Sequence, residues 1–163
     1  MILEIDNVEL YFKNKRILNG VYLKAETGKV TGILGSNGCG KSCLLNIIFG
    51  SLKPKYKLVR INGKPILKPL YQTKKASYLP QHHFIPDRIQ TKKVFHLFNV
   101  SWDDFANKFK QFSPYRNLRF NKLSGGERRL IETYIILKSN SEIILLDEPF
   151  SHLSPLYIKT LKH

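Results

Sequence analysis

An α/β fold built on a mostly parallel sheet is what this sequence predicts, and three stretches predict it. Gly35-Ser36-Asn37-Gly38-Cys39-Gly40-Lys41-Ser42 has the spacing G-x-x-x-x-G-K-S, by which backbone N–H groups and the start of a helix cradle phosphate. The apolar run Ile143-Ile144-Leu145-Leu146 fits a central parallel strand, and it delivers Asp147 and Glu148 at its C-terminal end, the edge where ligands of open α/β sheets sit. Ahead of both, apolar and polar residues alternate over Ile2 to Leu10 and again over Val21 to Glu26, the period of strands with one solvated face.

The remaining elements follow in chain order. Gly28 marks a turn, and Val30 to Leu34, interrupted only by Thr31 and Gly32, predicts a strand buried on both faces. After the phosphate loop, Leu44, Leu45, Ile47 and Ile48 predict a helix packed on the sheet and ending near Gly50. Tyr56 to Ile61 predicts a strand closed by Asn62-Gly63, a pair suited to a tight turn with positive φ. Ala76 to Leu79 predicts a short strand broken by Pro80. Between Thr91 and Phe112 the period becomes helical: Ser101 and Asp104 make a capping pair, and Trp102, Phe105, Phe109 and Phe112 form one face, read as a small helical core. Leu123-Ser124-Gly125-Gly126-Glu127 opens a helix running to about Lys138, with Leu130, Tyr134, Ile135 and Leu137 as its buried side. Pro155 begins a further helix.

Composition narrows the partners. The 163 residues are enough for one domain with a sizeable core, and no repeat or low-complexity run interrupts them. Lys and Arg outnumber Asp and Glu by 27 to 12, giving a net charge of +15 that favours polyanions: nucleotides, nucleic acid or anionic lipid. The lysines are scattered, as on a solvated basic surface, rather than gathered in a tail. Met1 to Asp6 alternates apolar and acidic residues, unlike a secretory signal, and no apolar run approaches the ~20 residues of a membrane span, so a cytoplasmic chain is expected. Cys39 and Cys43 are the two cysteines, one in the phosphate loop and one in the next turn, which argues for free thiols.

Four features now stand in order: the phosphate loop, Gln81 after a short strand, Leu123-Ser124-Gly125-Gly126-Glu127, and an apolar strand ending in Asp147-Glu148-Pro149. In that order and spacing the chain, from about Ile2 to Leu156, resembles the nucleotide-binding subunit of the ATP-binding cassette (ABC) transporters. The resemblance implies a P-loop NTPase core with a mostly parallel sheet, an N-terminal antiparallel β subdomain and a short helical subdomain at about 86–122, all in one ATP-binding domain over 1–163.

Roles are implied residue by residue. Gly35, Ser36, Asn37, Gly38, Cys39, Gly40, Lys41, Ser42 and Cys43 would hold the phosphates, Lys41 as the fixed cation on the β- and γ-phosphates. Ser42, Gln81 and Asp147 would supply hard oxygen ligands to Mg²⁺. Glu148 would be the base that polarises the attacking water, with Lys41 and Gln81 completing the catalytic set. Phe12 is placed as the ring stacked on adenine, with its neighbour Tyr11 as the alternative. Ser124, Gly125 and Gly126 would cover the γ-phosphate of ATP bound to a second subunit, in a head-to-tail dimer of identical or related chains.

The resemblance further implies a separate transmembrane subunit, docked through the region from Gln81 to Phe112, and a location on the inner face of the membrane. Two other functions stand beside it. A soluble family ATPase acting on ribosomes or nucleic acid would suit the +15 charge. A module that binds nucleotide without hydrolysing it would suit the departures from the family pattern. Ser154 stands where the family has an acid, and the chain reaches His163 before the strand and histidine that the family places next, so a C-terminally incomplete domain that binds Mg-ATP but turns it over slowly or not at all is expected. His152 and His163 do not stand in the context of that histidine, and His82 and His83 are read as loop surface.

Overall fold

A computed structural model describes residues 1–162, so His163 lies outside the described residues. The chain forms two compact units, the first over Met1–Ser77 and the second from Tyr78 onward.

The first unit carries an antiparallel sheet in the order β2-β1-β3-β4, built from β1 (Ile2–Phe12), β2 (Lys15–Glu26), β3 (Tyr56–Ile61) and β4 (Lys64–Pro65). Alternation buries Leu3 and Ile5 at the start of β1 but Val8 and Leu10 further on. The phase changes because the register shifts between Ile5 and Val8 on the β2 side and between Asp6 and Glu9 on the β3 side, around Asn7 with its left-handed φ of 50°. A bulge of this kind moves every later side chain to the other face, so it keeps the apolar set inside. Asn62 and Gly63, at φ 50° and 75°, close β3 onto β4 in the predicted tight turn.

Helix α1 (Lys41–Phe49) buries Leu44, Leu45, Ile47 and Ile48 and stops at Gly50, whose φ is 100° and whose N–H donates to Asn46 O. Lys57 donates its Nζ to the Ile47 carbonyl at 3.1 Å, and burial pulls its pKa below the usual lysine value.

One predicted strand does not form. Val30 to Leu34 makes no ladder among the described residues, and Val30 and Leu34 are 101% and 96% exposed. An apolar run yields a doubly buried strand only where two neighbouring strands flank it, and neither sheet places a strand beside it. The helix expected after the phosphate loop is present; the strand expected before it is a segment without regular secondary structure.

β5 (Ala76–Leu79), whose residues from Tyr78 on belong to the second unit, pairs in parallel with β6 (Ile143–Leu146) in a two-stranded sheet. β6 therefore has one strand neighbour and is not central, and Ile144 is 36% exposed. The predicted helical stretch resolves into α2 (Thr91–Leu97), α3 (Trp102–Lys108) and a 3-10 segment over Lys110–Asn117. Asn99 at φ 54° separates the two helices, and Pro114 lies in the 3-10 segment, where a ring without an N–H disfavours an α-helix. The capping pair is as predicted, with Ser101 Oγ accepting from Asp104 N at 3.1 Å. Phe105 is fully buried, its ring centroid 5.0–5.5 Å from those of Phe95, Trp102, Phe109, Phe112 and Tyr134. Tilted and edge-on contacts of this kind add to area burial.

Helix α4 (Gly125–Leu137) opens on a reciprocal capping box: Ser124 Oγ accepts from Glu127 N, and Ser124 N donates to Glu127 Oε2 at 2.8 Å. Every residue from Arg129 to Ile136 is buried, so this helix is enclosed on all sides rather than amphipathic. Leu137, expected inside, lies past the enclosed turns and is 36% exposed. Helix α5 (Pro155–Lys162) starts at the predicted proline, and Ser154 caps it, accepting from Tyr157 N at 3.4 Å.

Candidate nucleotide site

The phosphate loop sits in the first unit. Gly38 and Gly40 take φ of 78° and 99°, a region nearly closed to residues with a Cβ. At Gly35 a Cβ would stand 2.6 Å from the Cys39 thiol, and at Gly40 one would stand 2.9 Å from Leu18 Cδ2 and 3.0 Å from Ile17 Cγ2. Both glycines thus answer to close neighbours. The loop closes on itself through Lys41, whose Nζ donates to the carbonyls of Gly35 at 2.8 Å and Ser36 at 2.9 Å, while Cys39 N donates to Ser36 O at 3.3 Å. Helix α1 begins with no side-chain cap, so the N–H groups of Lys41, Ser42 and Cys43 face an outside acceptor. Ser36, Asn37 and Cys39 are exposed, and the two cysteines are free thiols.

At the far end of β1 the two candidate adenine rings differ. Tyr11 is covered by Arg16 at 5.4 Å and by Lys55 at 5.2 Å, both over its ring. Phe12 is 48% exposed.

The second unit brings the acidic strand end, Gln81 and Ser124–Gly126 to one helix, α4. Asp147 is buried; its N–H donates to Leu79 O at 2.9 Å and its carboxylate accepts from the Tyr78 hydroxyl at 3.4 Å. Glu148 is exposed and left-handed at φ 47°. Its carbonyl accepts from Ser151 N at 3.1 Å and from Ser151 Oγ at 2.9 Å. Gln81 is exposed just past Pro80, and Ser124 and Gly125 are exposed at the start of α4. Gly126 packs so closely on the following turn that a Cβ would stand 2.9 Å from the carbonyl of His152.

Sequence reading missed the polar residues inside α4. Arg129, Glu132 and Thr133 are 1%, 0% and 0% exposed. Arg129 donates from Nη1 to Pro80 O at 2.6 Å, and from Nη2 to Asp147 O at 2.7 Å and Glu148 O at 2.9 Å. Burial lowers the Arg129 pKa, and Glu132, Asp147, Glu148 and Tyr78 oppose that shift. Glu132 Oε2 lies 2.8 Å from His83 Nδ1, and its Oε1 accepts from Phe84 N at 3.2 Å. Thr133 Oγ1 donates to Pro149 O at 3.1 Å. His83 is therefore an anchored loop residue rather than free surface. The available signal was a pair of ionisable residues three apart in a stretch otherwise rich in Leu, Ile and Tyr.

Among the described residues no three of His, Cys, Asp and Glu gather into a metal cage. The Ser42 hydroxyl in the first unit and the buried Asp147 carboxylate in the second are each a hard oxygen donor, the ligand type that Mg²⁺ takes. No helix among the described residues is long and apolar enough to cross a membrane.

Comparison with known proteins agrees with this geometry. The family profile described as ABC transporter matches residues 18–151. An uncharacterized ABC transporter ATP-binding protein of Methanocaldococcus jannaschii is 34% identical over 94% of this chain, which spans 65% of that protein. The lipopolysaccharide export system ATP-binding protein LptB of Escherichia coli is 29% identical over 96% of this chain and 70% of its own length. Among solved structures, a putative ABC transporter ATP-binding protein of Pyrococcus furiosus superposes with a TM-score of 0.78 at 25% identity, over 99% of this chain and 84% of that one. A bacterial Atm1-family ABC exporter with ATP bound shares the fold at a TM-score of 0.84 and 21% identity, over 98% of this chain and 31% of that one. With a family match that takes in the phosphate loop, Ser124–Gly126 and Asp147–Glu148, the chain belongs to the ABC transporter family and has the fold of its ATP-binding subunits.

Proposed function

We propose that this chain is the ATP-binding subunit of a transporter, binding Mg-ATP and hydrolysing it at a head-to-tail interface with a second such subunit to drive transport through a separate membrane protein. The observation that carries the reading is the phosphate loop: two left-handed glycines, a lysine ammonium held on the loop's own carbonyls, and an uncapped helix start. Such a loop presents N–H groups and a fixed cation to a polyphosphate without rearrangement. Lys41 neutralises the β- and γ-phosphates, Ser36–Cys43 supply backbone donors, and Phe12 offers an open ring face to adenine.

Ser42, Gln81 and Asp147 are the residues that would hold Mg²⁺, which supplies charge neutralisation on the phosphates. Glu148, exposed at the end of β6, orients and deprotonates the attacking water, and Ser124–Gly126 serve the nucleotide of the partner subunit. The chain works as one ATP-binding domain whose helical part, at about 86–122, faces the membrane partner. An apolar cleft of about 210 Å³ there, lined by Phe84, Ile89, Val94, Leu97 and Phe98, supports that role; Leu97 stays 69% exposed on its rim. On this reading the chain works at the cytoplasmic face of a membrane.

Equilibrium titration with a fluorescent ATP analogue and Mg²⁺ tests the reading. Saturable binding is expected, weakened at least tenfold by Lys41→Ala, since a charge-assisted contact contributes about 1.5–3 kcal/mol. Equal affinity of the two proteins would reject it.

A further inference from the structure

We propose that Arg129 is a positioning residue that locks the backbone of the Gln81 segment and of Glu148 into one register. The inference rests on the reading of Gln81 and Glu148 as site residues. One fully buried guanidinium donates to three carbonyls, those of Pro80, Asp147 and Glu148, at 2.6–2.9 Å. None of these acceptors belongs to its own helix: all lie in the two segments that present Gln81 and Glu148.

The Glu148 end needs such a hold. A glutamate at φ 47° persists only where its surroundings over-determine it, and the carbonyl of that residue takes donors from Arg129 and from both groups of Ser151. The carboxylate itself is left exposed and free to act, so its direction is set through the main chain.

The Gln81 end is bracketed. Arg129 holds Pro80 on one side, and Glu132, one turn along α4, holds His83 Nδ1 and Phe84 N on the other. Glu132 also neutralises Arg129 at 4.0 Å, so the charge is buried with a partner. A lysine cannot replace this arrangement: one ammonium on a thinner stem lacks the planar fork that reaches three diverging carbonyls. The amide of Gln81 and the carboxylate of Glu148 thus face solvent on backbones tied to a single side chain, and a shift of one is felt by the other.

Amide hydrogen exchange on the full chain, read by mass spectrometry without need of turnover, tests this. Arg129→Lys is expected to raise exchange about tenfold or more in peptides covering 79–84 and 147–152, leaving the aromatic peptide 102–112 within about twofold. Unchanged exchange in either segment, or equal loosening of 102–112, overturns the proposal, the latter because it marks a merely structural residue. Ser151→Ala serves if the lysine variant does not fold. It should loosen 147–152 and, through the intact Arg129, 79–84 to a smaller degree, and loosening confined to 147–152 would show that Arg129 does not couple the two segments. In steady-state hydrolysis Arg129→Lys should lower kcat about tenfold with KM for ATP within about twofold, and a loss carried by KM alone would count against it. Glu148→Gln separates the two readings: turnover that survives it removes Glu148 as the base, while the exchange data judge Arg129 independently.

Discussion

Alanine at Gly40 and, separately, at Gly38 probes how the phosphate loop is seated. Both glycines are left-handed, so each alanine incurs the backbone penalty of a Cβ in that region, about 1–2 kcal/mol. Only Gly40 has close neighbours: its added Cβ would stand 2.9 Å from Leu18 Cδ2 and 3.0 Å from Ile17 Cγ2, whereas nothing lies within 4 Å of one at Gly38. Leu18 is itself 7% exposed, so it has little room to yield, and overpacking of this kind costs about 1–3 kcal/mol more. Gly38→Ala should therefore destabilise the first unit by about 1–2 kcal/mol and Gly40→Ala by about 2–5 kcal/mol. Native-state amide exchange of α1 and β1 amides measures both as opening free energies. Equal losses for the two variants would show that the loop does not rest on Leu18 and Ile17.

Two further outcomes are expected. Phe12→Ala should weaken ATP binding by about 5- to 150-fold, from a stacking contribution of about 1–3 kcal/mol, and leave stability unchanged; Tyr11→Ala should leave binding unchanged, because Arg16 and Lys55 already cover that ring. Competition titration with unlabelled ATP decides between them, and a larger binding loss in the Tyr11 variant would reverse the assignment. Phe105→Ala, at the centre of five ring contacts, should cost the second unit about 3–5 kcal/mol in urea denaturation, and a loss below 1 kcal/mol would refute the packing described.

What could be read from the sequence was whatever local pattern determines. The capping pair at Ser101, the Asn62-Gly63 turn, β3, β5 and β6 all follow from a few adjacent residues, and they stand where predicted. The phosphate loop was legible for the same reason, since its glycine spacing encodes its own backbone. Val30 to Leu34 was not: its apolar character describes a demand for neighbours, and supply of those neighbours is not a local property. The bulge at Asn7 and the enclosure of α4 were likewise invisible. Nothing in Arg129-Leu130-Ile131-Glu132 alone says that both charged ends turn inward onto carbonyls and a histidine from distant segments. Buried polar partners are chosen by tertiary geometry, and for that reason the residues that hold Gln81 and Glu148 in place were harder to find than those two residues themselves.

Trp102 is the chain's single tryptophan, and it lies 7% exposed with its ring 5.0 Å from Phe95 and 5.5 Å from Phe105. Its emission is thus a built-in optical reporter of the second unit, blue-shifted while the aromatic cluster is intact and red-shifted once that cluster opens to water. The phosphate loop belongs to the first unit, which contains no tryptophan and whose tyrosines include Tyr11, Tyr22 and Tyr56. Excitation at tryptophan and at tyrosine wavelengths therefore gives weight to different halves of the chain, and unlabelled protein suffices to ask whether ATP steadies the unit that holds the loop, the unit that holds Glu148, or both.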